Sequence, residues 1–340
     1  MWRIGDLEVD GRVVLGPMSG YTSEAYRRFM KPFGVALAYT EMVSDSAMMH
    51  NRRSDEYLMF DRCPLTGIQL FGSDPERMGD AAAECVRRNP NVDLFDVNMG
   101  CPVEKVVRRG AGSALMADPA RCGRIVRTVK ERTGLPVTAK IRLGQGEDSL
   151  NFRDVIAELE ASGVDAVTVH ARTRKQRYAG MPRYDLMRDL RKEMSVPLIV
   201  SGNIFSLDDA IGYTAITGAD GVMVARGGVG NPYLVTQIDR WFREGARLPN
   251  PTVSQQVDWC KDLADLMYAE KGDEVASKKM RSIAPKFIVG CRRSREFRYR
   301  LATEIDTRGD LDRILEEVRE RLGDRTVRTL GYRTSVPEDE

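Results

Sequence analysis

The feature of this sequence with the most potential for chemistry is a thiol that follows a short apolar run. Residues Val92 to Val97 predict a buried strand, which ends at Asn98, and Cys101 comes three residues later. A loop with three cations follows, at Lys105, Arg108 and Arg109. Gly110 and Gly112 allow unusual backbone dihedrals in that loop. An amide before the thiol and cations after it indicate a functional site, although a single Cys in a turn can also be purely structural.

Length and composition are typical of a soluble enzyme. The chain has 340 residues, 42% hydrophobic and 30% charged, enough for one large domain and a smaller one. No apolar run approaches the roughly 20 residues that span a bilayer. The N-terminus lacks the apolar core of a signal peptide, so we expect a cytoplasmic protein without a membrane partner. The six Cys show no zinc-like spacing, and we expect free thiols and no metal site.

Eight short apolar runs with helical segments between them predict an α/β fold with a parallel sheet. The runs are Val13–Met18, Leu37–Met42, Thr66–Phe71, Leu94–Asn98, Val137–Leu143, Ala166–His170, Leu198–Gly202 and Gly221–Ala225. Asp-Pro pairs mark the starts of predicted helices at Pro75–Arg88 and Ala120–Arg132. Eight such units favour a (β/α)₈ TIM barrel. A doubly wound open sheet is the alternative, but the expected GxGxxG signature is absent.

The chain after the last predicted strand has a different pattern. A boundary is indicated near Leu248–Thr252, and only helical segments follow it. We therefore predict a barrel domain over residues 1–247, a helical bundle over 248–325 and a flexible tail over 326–340. The predicted helices are Val253–Lys271, Glu274–Val289, Arg293–Thr303 and Asp310–Leu322.

Polar residues gather where the predicted strands end, which is where barrels carry their active sites. Lys140 lies within an apolar strand, so it should face an anion, unless it forms a structural salt bridge. His170 also closes an apolar strand, and it could equally be a satisfied core histidine. Gly202 and Gly227–Gly228 follow strands seven and eight, where barrels often bind phosphate. Together these residues indicate a cofactor phosphate, polar groups on its ring, and a thiol across the pocket.

A basic stretch lies near the C-terminus although the formal net charge of the chain is only +2. Residues 276–300 contain nine Lys or Arg and one acid, Glu296, and Phe297 and Tyr299 alternate with the arginines. A local excess of this kind is typical of a surface that binds a polyanion, with aromatic rings available for stacking on bases. A solvated basic helix face is the other interpretation.

These motifs resemble the bacterial tRNA-dihydrouridine synthases, most closely the B-type branch. The Asn98–Pro102 loop and its partner Gly110–Leu115 are the most specific part of the resemblance. The matching segments lie in order along the chain, at Gly16–Ser19, Gly67–Gly72, Asp96–Pro102, Arg109–Leu115, Thr138–Arg142, Val169–Arg174 and Arg226–Pro232.

The resemblance implies an FMN enzyme that uses NADPH or NADH to reduce a uracil in the tRNA D-loop. Hydride from reduced FMN would reach C6 of the base, and Cys101 would protonate C5. A neutral thiol is suited to that step, because it is mostly protonated near pH 7. The implied cofactor-binding residues are Pro17, Met18, Ser19, Gln69, Asn98, Lys140, His170, Ser201, Gly202, Asn203, Ala225 and Arg226.

The resemblance also implies tRNA as the macromolecular partner. We expect a monomer, although the sequence leaves the oligomeric state open. The RNA-binding candidates are the cations of the active-site loops and of the basic stretch: Lys105, Arg108, Arg109, Arg172, Arg174, Lys278, Lys279, Arg281, Lys286, Arg292, Arg293 and Arg295. The chain departs from the family at Ser201–Asn203, where Asn-Gly-Asp is usual, so it lacks that carboxylate. It also has Ala171 and Ala225 where the family usually has Gly.

Two other functions remain open from the sequence. An FMN barrel acting on a free pyrimidine, like the dihydroorotate dehydrogenases, would share the cofactor residues but would not need the basic stretch. An RNA-binding protein with an inactive barrel would not need Cys101, Lys140 and His170 together.

Overall fold

The computed structural model describes residues 1–50, 58 and 65–327. These residues form two compact units. The first comprises residues 1–23, 35–202 and 210–223, and the second comprises 24–34, 203–209 and the chain from 224 onward. Both units are assembled from separate stretches of chain. This division therefore does not test a boundary at residue 248, and a separate domain over residues 248–325 stays a prediction.

Eight parallel strands close into a barrel, which confirms the predicted TIM-barrel class. Each of the eight pairs with the next and the last pairs with the first, so the barrel is closed and the open-sheet alternative is excluded. A short additional strand, Val43–Ser44, pairs with the end of the third barrel strand. The strands are β1 (Val13–Leu15), β2 (Leu37–Tyr39), β3 (Leu65–Phe71), β4 (Leu94–Asn98), β5 (Val137–Arg142), β6 (Ala166–His170), β7 (Leu198–Ser201) and β8 (Gly221–Val224). The first two end three residues earlier than predicted, because polar loops begin there.

Helices follow most of the strands. They are α1 (Glu24–Met30), α2 (Asp45–His50), α3 (Pro75–Arg88), α4 (Glu104–Val107), α5 (Pro119–Thr133), α6 (Phe152–Ala161), α7 (Leu207–Thr217) and α8 (Tyr233–Glu244). The Asp-Pro starts are confirmed, since Asp74 and Asp118 each accept a hydrogen bond from the backbone N–H three residues later. In the described chain between β6 and β7, short 3₁₀ turns replace a helix.

One end of the barrel is closed by an antiparallel hairpin, Trp2–Ile4 with Leu7–Val9. Ile4 and Val9 are buried against the barrel core beside Leu37 and Ile199. This apolar plug removes water from the amino-terminal end of the strands. The polar side chains of the barrel are therefore gathered at the carboxyl end.

The second unit contains α1, α8 and the C-terminal helices α9 (Val253–Lys271), α10 (Asp273–Ile283), α11 (Arg295–Thr303) and α12 (Arg308–Leu322). The predicted helix Glu274–Val289 stops at Ile283 and continues as a 3₁₀ turn, because Pro285 has no N–H to donate. The next helix begins two residues later than predicted, since Arg293 has a left-handed φ of 61°.

The first two residues of the predicted tail have backbone partners, and a flexible tail over residues 326–340 stays a prediction. Thr326 pairs with Thr252 in an antiparallel bridge, and the N–H of Val327 donates to the carbonyl of Pro251. The rest of the predicted tail, residues 328–340, lies outside the described residues. Within the described part of the chain, no helix has the length and apolar character that crossing a membrane requires.

We expect Gly67→Ala to destabilise the barrel. A Cβ at Gly67 would lie 2.7 Å from the ring of Tyr39, which is fully buried and cannot move aside. Overpacking of this kind costs about 1–3 kcal/mol in the free energy of unfolding, measurable by urea denaturation. Gly212→Ala is the matched control, because nothing lies within 4 Å of that Cβ and the residue is helical. It should stabilise by about 0.5–1 kcal/mol, and equal effects of both changes would contradict the explanation.

Candidate active site

The strand register brings the polar residues of the first unit together at the carboxyl end of the barrel. Asn98 pairs with Lys140 across β4 and β5, and His170 pairs with Arg142 across β5 and β6. Residues two apart on a strand face the same side of the sheet. Asp96 therefore shares the face of Asn98, one layer deeper in the barrel.

The thiol loop is held by hydrogen bonds to its backbone on both sides of Cys101. The Asn98 side-chain oxygen accepts from the N–H groups of Gly100 and Cys101, at 3.2 and 2.9 Å. The carbonyl of Cys101 accepts from the backbone N–H and the hydroxyl of Ser113, at 3.0 and 2.9 Å. Gly112 has a φ of 61°, and a Cβ there would lie 2.8 Å from the Cys101 carbonyl. The two motifs that carry the resemblance therefore form one structure.

Arg142 is a second anchor of the thiol loop. Its side chain is buried, and its Nε donates to the carbonyl of Gly100 at 2.6 Å. Its Nη1 donates to the carbonyls of Thr173 and Arg177, at 2.9 and 2.8 Å. Burial lowers the pKa of Arg142 to about 10, which leaves it charged at neutral pH. Arg142 thus joins the thiol loop to the loop that follows β6.

Asp96 is a fully buried carboxylate beneath Asn98. It accepts from Nε2 of Gln69 at 2.6 Å and from the hydroxyl of Thr138 at 2.7 Å. Burial raises its pKa to about 6, opposed by these hydrogen bonds and by the charge of Lys140. Gln69 also accepts from Nδ2 of Asn98 at 2.8 Å. Because Gln69 has no accessible surface, its predicted contact with a flavin requires neighbouring side chains to move, and it stays a prediction.

Lys140 is half-buried on the same face. Among the residues that the structure describes, its ammonium has neither a hydrogen-bond nor an ion-pair partner, so the structural salt bridge considered above is not formed. Burial and, to a smaller extent, the charge of Arg142 together lower its pKa to about 8, whereas the charge of Asp96 opposes the shift. A cation that is desolvated and poorly compensated is suited to meet an anionic ligand.

His170 and Arg172 are in contact with each other at the carboxyl end of the barrel. Nη1 of Arg172 lies 3.3 Å from Nε2 of His170. A guanidinium only donates, so this Nε2 must accept and the imidazole proton lies on Nδ1. Arg172 itself is fully buried and donates to the carbonyls of Ala179 and Gly180. It therefore holds the loop after β6. A contact between Arg172 and RNA would require neighbouring groups to move, so the RNA-binding role expected from the sequence stays a prediction.

The remaining cofactor candidates lie on loops. In the first unit, Pro17 and Met18 are half-buried and Ser19 is exposed, while Ser201 ends β7 and Gly202 has a φ of 119°. In the second unit, Asn203 has a φ of 52°, Ala225 is half-buried, and Arg226 is exposed with its guanidinium 5.6 Å from the ring centre of Phe205. A Cβ at Gly227 would lie 1.9 Å from the Ile204 carbonyl, so only glycine fits that turn.

Comparison with known proteins identifies the family. The model described as "Dihydrouridine synthase (Dus)" matches residues 14–322. The chain belongs to the dihydrouridine synthase family. It is 36% identical over 272 residues to the "Probable tRNA-dihydrouridine synthase 1" of Synechocystis sp., covering 79% of this chain and 76% of that protein. It is 31% identical over 282 residues to the "tRNA-dihydrouridine synthase B" of Pasteurella multocida, covering 81% and 84%. The predicted resemblance is confirmed.

A solved structure adds evidence on the fold alone. The histamine dehydrogenase from Rhizobium sp. 4-9 superimposes with a TM-score of 0.51 at 16% sequence identity. The match covers 78% of this chain and half of the other. At that identity the likeness supports the barrel architecture of this dihydrouridine synthase and nothing finer.

The predicted RNA-binding cations of this dihydrouridine synthase differ in their surroundings. Lys105, Arg108 and Arg109 in the thiol loop are exposed, and so are Arg292, Arg293 and Arg295. Several of the cations are paired with acids: Arg108, although exposed, and Arg174 approach Glu104, Lys278 bonds Glu274, and Arg281 bonds Asp306. Lys279 and Lys286 are half-buried, and Lys286 lines a cavity of about 280 Å³ in the second unit. The basic stretch is therefore partly neutralised by acids outside it.

The sequence analysis gave no role in the site to Asp96, Arg142 or Ser113, although Arg142 was expected at the carboxyl end of the fifth strand. Asp96 and Arg142 each lie two positions from a named candidate on the same strand, so strand alternation would have placed them on the active face. Ser113 gave no signal, because only the folded loop shows that it bonds Cys101. Of the six Cys, the five described ones are free as expected, and Cys63 lies outside the described residues.

We expect Lys140→Met to stabilise the protein without ligands. At pH 7 the wild type carries a partly desolvated ammonium at Lys140. Removing it should raise the free energy of unfolding by about 1–2 kcal/mol, a figure already discounted because the side chain is partly exposed. The pKa is about 8 in the fold and near 10.5 when unfolded. Between those two pKa values the unfolded state binds more protons than the folded state, so the stability of the wild type rises with pH. The stability difference between Lys140→Met and the wild type should therefore shrink as the pH is raised. Urea denaturation at pH 7 and pH 10 tests this, and a constant difference would contradict it.

Proposed function

We propose that this protein is a flavin-dependent tRNA-dihydrouridine synthase, which reduces the C5–C6 double bond of a tRNA D-loop uridine. The observation that carries the proposal is the thiol loop. Asn98 and Ser113 bond the backbone of Cys101 at the carboxyl end of the barrel, where Lys140 lies on the neighbouring strand. This chain is a member of the family in which such a loop is expected to carry the catalytic thiol.

The residues of the first unit fit FMN as the cofactor. Reduced flavin is anionic, and the ammonium of Lys140 is a desolvated cation without a bonded partner among the described residues. A neutral His170, with its proton on Nδ1, offers a hydrogen-bond donor on the same face. Bound FMN would supply hydride to C6 of the base, after reduction by NADPH or NADH. Pro17–Ser19 and Asn98 would contact its ring, and the turn at Ser201 and Gly202 after β7 would hold its phosphate.

The chain itself would supply the proton. Reduction at C6 leaves electron density at C5, which must be protonated, and the Cys101 thiol is the candidate acid. The thiol is on a short loop whose backbone N–H and carbonyl are both bonded, so its position varies little. A fixed acid is worth more to catalysis than a mobile one, because misplacement by about 1 Å can lower a rate 10²-fold.

The exposed cations support tRNA as the substrate. Lys105, Arg108 and Arg109 lie in the same loop as the thiol, so a phosphate backbone bound there would lie near the acid. Arg292, Arg293 and Arg295 offer a second group of exposed positive charges on the second unit. A free pyrimidine would use neither group, which favours the tRNA reaction over the alternative of a free-base reductase.

Product mapping is the direct test. Purified protein with FMN, NADPH and unmodified tRNA should give dihydrouridine in the D-loop, located by reverse transcription or mass spectrometry. A protein that holds FMN and oxidises NADPH but makes no dihydrouridine would overturn the proposal and favour the free-pyrimidine reaction.

We expect Cys101→Ala to lose dihydrouridine formation about 10²–10⁴-fold, the usual size of general acid catalysis. Flavin content and reduction of the flavin by NADPH should stay within twofold, since the thiol acts only on the base. Stopped-flow absorbance would separate the two half-reactions. Cys122→Ala is the matched control, because Cys122 is buried in α5. Normal turnover by Cys101→Ala would remove Cys101 from the acid role.

We expect loss of two exposed arginines, Arg293→Gln with Arg295→Gln, to weaken tRNA binding about tenfold and to lower the salt slope by about one per lost phosphate contact. The control is Arg188→Gln with Lys192→Gln, which changes net charge equally on the exposed surface of the first unit. Affinities measured by filter binding across a salt series would show the difference. Equal losses for both pairs would mean that charge alone matters and that the basic stretch is not a tRNA site.

A further inference from the structure

The buried carboxylate of Asp96 begins a continuous chain of hydrogen bonds that ends at the backbone of Cys101. Gln69 donates to Asp96 at 2.6 Å, Asn98 donates to Gln69 at 2.8 Å, and the N–H of Cys101 donates to Asn98 at 2.9 Å. All three side chains are buried and none reaches the thiol itself.

The chemistry of the two ends fixes the orientation of both amides between them. An ionised carboxylate only accepts, so Gln69 must present its NH₂ group to Asp96 and its oxygen to Asn98. Backbone N–H groups only donate, so Asn98 must present its oxygen to Gly100 and Cys101 and its NH₂ group to Gln69. The requirements from both ends agree. Neither amide has a second orientation that would satisfy its neighbours.

We propose that Asp96 is a positioning residue for the catalytic thiol, acting through Gln69 and Asn98 on the backbone of Cys101. The inference rests on the proposed function in so far as Cys101 is the acid, and it assigns Asp96 no contact with substrate or flavin. Without an acceptor at position 96, the buried NH₂ group of Gln69 loses its hydrogen-bond partner. Because an unsatisfied buried donor is costly, the Gln69 amide would rotate toward another acceptor and away from Asn98.

The cost of burying the Asp96 carboxylate is consistent with a role for it in positioning the thiol loop. Burial raises the pKa of Asp96 to about 6, so the charged form is disfavoured in the barrel interior. An apolar residue of similar size at this layer would avoid that penalty. The other carboxylate oxygen of Asp96 accepts a hydrogen bond from the Thr138 hydroxyl. The hydroxyl of Tyr39, which is fully buried, lies 3.0 Å from that of Thr138. Because the Thr138 hydroxyl donates its proton to Asp96, the Tyr39 hydroxyl must donate to Thr138. The hydrogen bonds from Tyr39 therefore also lead to the carboxylate of Asp96.

The test compares four variants by the rate at which iodoacetamide alkylates Cys101 in the flavin-free protein, resolved by peptide mass spectrometry. Asp96→Leu removes the acceptor, and Gln69→Leu interrupts the same chain one step later. Asp96→Asn keeps an oxygen that can accept from Gln69, with its NH₂ group on Thr138. Thr138→Val is the matched control, since it removes a hydrogen bond from Asp96 that is not on the path to Cys101.

We expect Asp96→Leu and Gln69→Leu to raise the alkylation rate of Cys101 at least threefold, because the loop loses its anchor. Asp96→Asn and Thr138→Val should stay within twofold of wild type. In the FMN-loaded enzyme, Asp96→Leu should slow reoxidation by tRNA at least tenfold more than it slows reduction by NADPH. A residue that only stabilised the fold would not separate the half-reactions in this way. If Asp96→Leu fails to fold, Gln69→Leu decides the alkylation result.

Unchanged alkylation in the leucine variants, or an equal rise in Thr138→Val, would overturn the inference. Its failure is distinguishable from failure of the proposed function. A wild type that forms no dihydrouridine would reject the function, yet the alkylation series would still decide whether Asp96 controls the loop. A wild type that forms dihydrouridine, with leucine variants that react normally, would reject the role of Asp96 alone.

Discussion

The constraint on which the site depends is the burial of opposite charges within one barrel. Desolvation raises the pKa of Asp96 to about 6 and lowers that of Lys140 to about 8, and each charge partly offsets the shift of the other. Each group is tolerated because the other is present, and because Gln69 and Thr138 satisfy the carboxylate directly. The ammonium has no such direct partner among the described residues. The imbalance leaves a positive potential at the carboxyl end of the barrel, where an anionic ring would be bound.

The closure of the barrel makes this arrangement possible. A hairpin with Ile4 and Val9 seals the amino-terminal end, and apolar residues such as Leu37 and Ile199 fill the layers above it. Gly67 leaves room for the ring of Tyr39, whose hydroxyl reaches Thr138 in the next polar layer. Polarity therefore increases from one end of the barrel to the other. Asp96 is fully buried, and of its two hydrogen-bonded arms the one through Gln69 and Asn98 leads to the thiol loop.

Much of the fold was predictable because it depends on local signals. Asp-Pro pairs set the starts of α3 and α5, and apolar runs located the strands to within a few residues. The thiol loop was predictable as a motif, since its glycines and amide have fixed spacing. The partners of charged side chains were not, because they are set by residues distant in sequence. Arg172 looked like a surface cation but bonds carbonyls seven and eight residues later, and Arg281 is joined to Asp306.

In the thiol loop, the side chains that anchor the backbone are distinct from the thiol of Cys101, for which we propose the role of acid. Three side chains from different parts of the chain, Asn98, Ser113 and Arg142, all bond backbone atoms of residues 100 and 101. None of these bonds uses the sulfur, so the anchors leave the Cys101 side chain free to rotate about its Cα–Cβ bond. Fixing the backbone and leaving the side chain unbonded is the arrangement that an acid requires when its target is a base presented by a separate molecule. Because the anchors act on backbone atoms, they would hold an alanine at position 101 as firmly as the cysteine. The loss of activity on that substitution would then measure the thiol alone.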